Sequence, residues 1–316
     1  MRNLIKKCEH LPVGAIATAV GLATLSNVYH AQGFVSVRYV TMILMMFIWI
    51  GAFIKLTIYH EAFWADYSKV VPSTLYATFT MLTMILGNFI LGFSEGLGKA
   101  MWFSGLALHI LHLIIFSYRN ILKGINRETF VPSWFVSFAG ILVAVVVGAP
   151  KEMPWLLTGL MYYAFLMYVI LFPAMIYRMV KYPIPPQFAM TRIILIAPAS
   201  LVFVGYLNAF PNVNIPFSIV LYTIVFVILM YAAIKIPGFL AKPFNPGHAA
   251  LTFPTAIGLV ATMRMSGFLS ANGFYTASTW LGHFFGIQLW LTTAIILYVG
   301  FGFLKMFADS YKEERA

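Results

Sequence analysis

One cysteine, Cys8, and nine acidic residues are all that 316 positions supply of the side chains on which disulfide scaffolds, metal clusters and proton relays depend. A lone cysteine excludes a disulfide framework and any cysteine-bound metal cluster. The acidic residues (Glu9, Glu61, Asp66, Glu95, Glu128, Glu152, Asp309, Glu313 and Glu314) lie between the apolar runs or at their edges. Intramembrane carboxylates are the usual equipment of proton-coupled pumps and cation pathways. Their absence argues against a cation channel and weakens the case for a proton relay. Charged residues of both signs make up only 9% of the chain, where a soluble domain carries roughly 25%. A soluble enzyme is thereby excluded. No linker is long enough for a separate soluble domain, and the basic residues form no concentrated patch of the kind nucleic acid requires.

What is present is apolar length: 61% of the residues are hydrophobic, gathered in runs near the length of a bilayer-spanning helix. Ten spans are expected, at 11–28, 39–59, 70–92, 100–118, 132–149, 155–177, 190–210, 215–235, 248–268 and 280–306, in a single transmembrane domain covering 1–316. The first run follows Arg2, Lys6 and Lys7 and so resembles a signal peptide, but it shares the proline and small-residue pattern of later spans and is read as one of them. With the N-terminus inside, all the basic residues except Arg38, Lys99, Lys151 and Arg264 fall on the cytoplasmic side. Both termini are therefore expected in the cytoplasm, in a cell inner membrane.

Prolines reveal a repeat. Pro12, Pro72, Pro132, Pro198 and Pro254 fall in or at the start of spans one, three, five, seven and nine, spaced by the length of one helical hairpin. Small residues follow them at helical spacing: Gly14, Ala17, Gly21 and Thr24; Ser73, Ala77, Thr80 and Gly87; Ser133, Ser137, Gly140 and Ala144; Thr255, Gly258, Thr262 and Ser266. Steps of three and four keep each set on one helix face. Even spans are bulky all round. Small stripes can exist only to let helices pack closely. Five alternating spans with the same bias instead suggest five hairpins in a quasi-fivefold ring. Its odd helices would be proline-kinked, inner and pore-lining, and its even helices outer.

The expected pore lining is Gly14, Gly21, Thr80, Ser137, Gly140, Thr255 and Gly258. Phe253 is the expected gate: a large ring among Thr252, Thr255 and Gly258, directly before Pro254, where the backbone is least regular and where a narrow pore closes sterically and by dewetting. Arg264 is a candidate for attracting anions at an outer mouth, with snorkelling to the interface as the alternative. His109, His112 and His283 raise a metal or haem site. They lie on even spans without an acidic or cysteine partner, which favours hydrogen bonding between helices, so neither cofactor nor metal is expected.

The L-P-V-G of Leu11 to Gly14 and the L-T-F-P of Leu251 to Pro254, with the span count and spacing, resemble the tellurite-resistance/dicarboxylate transporter family. That family includes the bacterial tellurite-resistance protein TehA, the plant guard-cell slow anion channels, fungal malate permeases and fungal sulfite exporters. The resemblance covers essentially the whole chain. It implies a homotrimer with one pore per protomer and carries the role of occluding gate to Phe253. The long kinase-controlled tails of the plant channels are expected to be missing, given the short segments outside spans one and ten. The reading is a passive, gated channel for small monovalent anions such as chloride or nitrate, and not an enzyme. The alternative is a secondary transporter of malate, sulfite or tellurite-type oxyanions.

Overall fold

The computed structural model describes residues 2–148 and 153–313, and the side chains of 5–148 and 153–309. Ala149 at the end of the fifth expected span, and Lys151, Glu152, Glu314 and Arg315, lie outside the described residues. Among the described residues there are helices and no strands. The helices named here are α1 (Val13–Ala31), α2 (Val35–Thr57), α3 (Val70–Ile90), α4 (Glu95–Ser117), α5 (Trp134–Val147), α6 (Pro154–Lys181), α7 (Pro186–Ala209), α8 (Ile215–Leu240), α9 (Thr252–Ala271) and α10 (Tyr275–Glu313). Seven of them (α2, α3, α4, α6, α7, α8 and α10) are long and apolar enough to cross a membrane. α1 and α9 are similar in length but built largely of Ala, Gly, Ser and Thr.

Burial separates the two classes. α3 and α7 are almost wholly enclosed, whereas α2, α6 and α10 bury only a narrow stripe. The exposed side chains of the latter are large and apolar, among them Phe47, Ile50, Val169, Ile170, Trp290 and Leu291. An apolar surface on that scale is unstable in water and suits lipid. α1 packs on α3, α3 on α5, α5 on α7, α7 on α9, and α9 returns to α1, so the odd helices close a cycle of contacts. Each even helix packs on the odd helix before it.

Tight turns and close approaches hold the hairpins. Gly33 and Gly273 end α1 and α9 with φ of 92° and 84°, a left-handed cap that glycine adopts without strain. The next residue then bonds back, Phe34 N to Tyr29 O and Phe274 N to Leu269 O, both at 2.9 Å. Between α3 and α4, Cβ atoms added at Gly87 and Gly98 would each lie 2.6 Å from a backbone nitrogen of the facing segment. Only glycine permits that approach.

At the opposite ends of three hairpins, a basic side chain from the even helix donates to a carbonyl in the segment leading into the odd one. Lys55 Nζ reaches Leu11 O at 2.9 Å, Arg119 reaches Tyr67 O and Ser68 O at 3.0 and 2.8 Å, and Arg178 reaches Arg127 O at 3.0 Å. Lys55 also pairs with Asp66 at 2.8 Å.

Three sequence expectations need correction. The fifth span is not one continuous α-helix: Trp134–Phe138 and Val143–Val147 are joined by a 3-10 turn over Gly140–Leu142. The seventh span begins as a 3-10 helix, Pro186–Leu195, and becomes α-helical only at Ile196. The ninth likewise has a 3-10 lead, Pro246–Leu251. The repeated prolines lie near these starts and changes of geometry. Pro72, Pro198 and Pro254 each occupy the third residue of an α-helical stretch, Pro12 is the N-cap of α1, and Pro132 precedes α5. At Pro72 the missing N–H has no intrahelical partner to lose, whereas at Pro198 and Pro254 it leaves a carbonyl of the preceding 3-10 turn without a donor. Proline marks where α geometry starts.

Candidate pore and gate

α9 starts from a well-fixed base. Asn245 Oδ1 accepts from Gly247 N at 2.9 Å, and His248 closes a capping box with the Asn245 backbone. The chain passes from 3-10 to α geometry at Thr252, immediately before Phe253. Thr252 donates its hydroxyl to Ala249 O at 2.8 Å, and Thr255 reaches Leu251 O at 2.7 Å. Across from them, a Cβ on Gly21 would lie 2.9 Å from Phe253 N and 2.8 Å from Thr252 Cβ. The glycine on α1 thus seats the Phe253 backbone against its neighbour. The ring itself is buried.

Two cavities lie on either side of it. One, of about 20 Å³, takes lining from Ala17 of α1, Leu75 and Met81 of α3, Phe135 and Gly140 of α5, Ile194 and Ala197 of α7, and Ala250 and Pro254 of the ninth segment. The other, of about 200 Å³, takes Thr24 and Asn27 of α1, Ile85 and Asn88 of α3, Val143 and Val147 of α5, and Ile257 and Met263 of α9. Phe253 and Leu201 line both. The smaller space holds roughly one water molecule, the larger several.

In every odd segment, residues earlier in the chain line the small cavity and later ones the large cavity. The five segments therefore run in the same direction past Phe253. Among the described residues, all those lining the cavities come from these odd segments, and none carries a formal charge.

Among the expected site residues, Phe253, Pro254 and Gly140 line these cavities. The others lie in the helix contacts around them. Cβ atoms at Gly14 and Gly258 would meet Pro246 O at 2.9 Å and Ile196 Cγ2 at 2.7 Å. Thr255 turns its hydroxyl onto its own helix.

Thr80 and Ser137 face the histidines of α4. His109 Nε2 lies 2.9 Å from Ser137 O, so that nitrogen carries the proton, and Nδ1 accepts from the Thr80 hydroxyl at 2.6 Å. His112 lies 2.8 Å from both Ser137 Oγ and Tyr67 OH. Burial pushes the Tyr67 phenol up to about 12, so it stays protonated. These histidines tie α4 to α3 and α5, and among the described residues no three His, Cys, Asp or Glu side chains converge on a metal-sized site.

Arg264 is exposed and donates to Asn208 Oδ1 at 2.7 Å. Asn208 in turn donates to Val145 O and Val146 O, both at 3.2 Å, while Asn88 donates to Val147 O at 2.8 Å. The last carbonyls of broken α5 are thus capped by amides at the rim of the large cavity. Asn27, Asn88, Asn208 and Leu201 were missed by sequence reasoning. The asparagines had a usable signal, one polar amide late in each of three odd spans. Leu201 had none.

Comparison with curated proteins gives no significant match. A family model described as voltage-dependent anion channel matches residues 10–304, nearly the whole chain. The helices that are apolar enough for a bilayer agree with that match, and the protein is a multi-pass membrane member of the voltage-dependent anion channel (SLAC1) family, which comprises anion channels and transporters.

Proposed function

We propose that the chain is a passive, gated channel for small monovalent anions such as chloride or nitrate, with Phe253 as the stopper. The closed cycle of odd helices is read as a quasi-fivefold ring of five hairpins, one transmembrane domain enclosing one axial pore, with the even helices facing lipid. What carries this reading is the pair of cavities, lined from all five odd segments, that meet at the Phe253 ring.

Electrostatics supports the sign. Parallel odd helices aim their N-terminal ends toward the small cavity, and the positive end of a helix dipole favours anions. The described wall residues carry no carboxylate to repel them. They also carry no fixed positive charge to offset the dehydration of a dianion, whose Born cost is roughly four times that of a monoanion because it scales with the square of the charge. Monovalent ions are therefore favoured over malate, sulfite or tellurite.

Each protomer of a homotrimer would hold its own pore. The basic ends of α2, α4 and α6 would lie in the cytoplasm with both termini, in the cell inner membrane. On that topology Arg264 lies at the outer mouth.

Voltage clamp of cells expressing the wild type and Phe253→Ala tests the reading. The variant should carry a current that reverses at the anion equilibrium potential and shifts with the chloride or nitrate gradient. Saturable, proton-dependent flux without current would replace the channel with a coupled carrier.

A further inference from the structure

Among the described residues, Phe253 and Leu201 alone are shared between the linings of the two cavities. A partition between two spaces must touch both, so these two side chains form it. Leu201 sits on α7, three residues beyond Pro198, and is fully buried; Phe253 sits on α9, one residue before Pro254. Their helices pack against each other, and the 3-10 stretches that lead into them also touch. A flat ring closes only part of a pore's perimeter. A branched aliphatic group from the adjoining helix extends the closure beyond the ring's edge and keeps that arc apolar, the condition for closure by dewetting.

We propose that Leu201 is the second member of the barrier: an isobutyl counter-stop against which the Phe253 ring closes, so that permeation requires the two to separate. The inference rests on the channel reading and adds to it a residue on a different helix. The plain alternative is that Leu201 is core packing. Core packing couples such neighbours through stability alone, whereas a barrier shared by two groups allows bulk lost from one to be restored, in flux, by the other.

The test is chloride and nitrate flux into proteoliposomes containing the full chain as wild type, Phe253→Ala, Leu201→Ala, the double alanine variant and Phe253→Ala with Leu201→Phe. Monodispersity and melting temperature are followed for each. Leu201→Ala should raise flux about tenfold over wild type, equivalent to about 1.4 kcal/mol off the barrier, and the double variant should exceed Phe253→Ala. Leu201→Phe should cut the flux of Phe253→Ala by about tenfold or more. If the alanine variant fails to fold, Leu201→Val, which removes less bulk, takes its place and should still raise flux over wild type; wild-type flux from folded Leu201→Val counts against the barrier role. A conducting Phe253→Ala whose flux is unmoved by Leu201→Phe overturns the two-part barrier and leaves the channel reading standing. Silence of both Phe253→Ala and the double variant, in folded protein, overturns the channel reading itself.

Discussion

Substituting Gly21 with alanine tests whether the α1–α9 contact positions the gate. The added Cβ would lie 2.9 Å from Phe253 N and from the Thr252 carbonyl carbon, against an ordinary contact distance beginning at 3.4 Å. The two helices must therefore part by about half an ångström, since the atoms in the way belong to backbone and cannot rotate aside. Overpacking of this kind costs about 1–3 kcal/mol. Gly159 provides the opposite case: it is exposed on α6, and a Cβ there would meet nothing within 4 Å. Gly159→Ala should stabilise the chain by about 0.5–1 kcal/mol through helix propensity. Melting of both variants in detergent, followed by intrinsic fluorescence, gives the comparison, and anion flux in proteoliposomes reports on the gate. Gly21→Ala should melt lower than wild type and leak anions, because the Phe253 backbone is what it displaces. Wild-type melting and wild-type flux together would refute the idea that this contact seats the gate.

Three further outcomes are expected. Lys55→Met leaves Leu11 O and Asp66 without their donor; the loss should stay below the roughly 3–5 kcal/mol of a fully buried pair because the Asp66 side chain is 36% exposed, and Lys55→Arg should recover most of it in the same melting assay. His109→Ala strips the partner from Ser137 O and empties the volume of a fully buried ring, so it should cost about 2–5 kcal/mol, more than Thr80→Val, which removes one hydroxyl donor to Nδ1; equal losses would contradict the weight given to the His109–Ser137 link. Asn208→Ala uncaps Val145 O and Val146 O and releases Arg264, so exchange of amide hydrogens near the end of α5 should quicken, and an unchanged rate would remove the capping role.

Much of the scaffold was legible in the chain. Proline recurrence located the starts of the odd segments, and the contrast between small and bulky spans separated the enclosed helices from the lipid-suited ones. Phe253 was legible because a large ring stands out among threonines and glycine. The lining was harder to read, for a physical reason. Helical period tells which residues share a face, but not which neighbour that face meets. Thr80, Ser137 and Gly258 do form part of such a face, yet they meet a histidine pair or a neighbouring helix, while aliphatic groups such as Leu75, Ile85 and Leu201 face the cavities. Leu201 is one leucine among many and carries no local mark. The break in α5 had only Gly140 to announce it. The spacing of the prolines was clear, and their place at the onset of α geometry was not.

The links from Lys55, Arg119 and Arg178 to the entry segments of their own hairpins have a mechanical consequence. The α1–α2 and α3–α4 hairpins, latched at the foot and tightly turned at the head, resist scissoring, so each tilts as a stiff stave. The compliant seams then lie between staves, along contacts such as α7 against α9. Aperture would change as in an iris, by small coordinated leaning of whole units, with no helix needing to unwind.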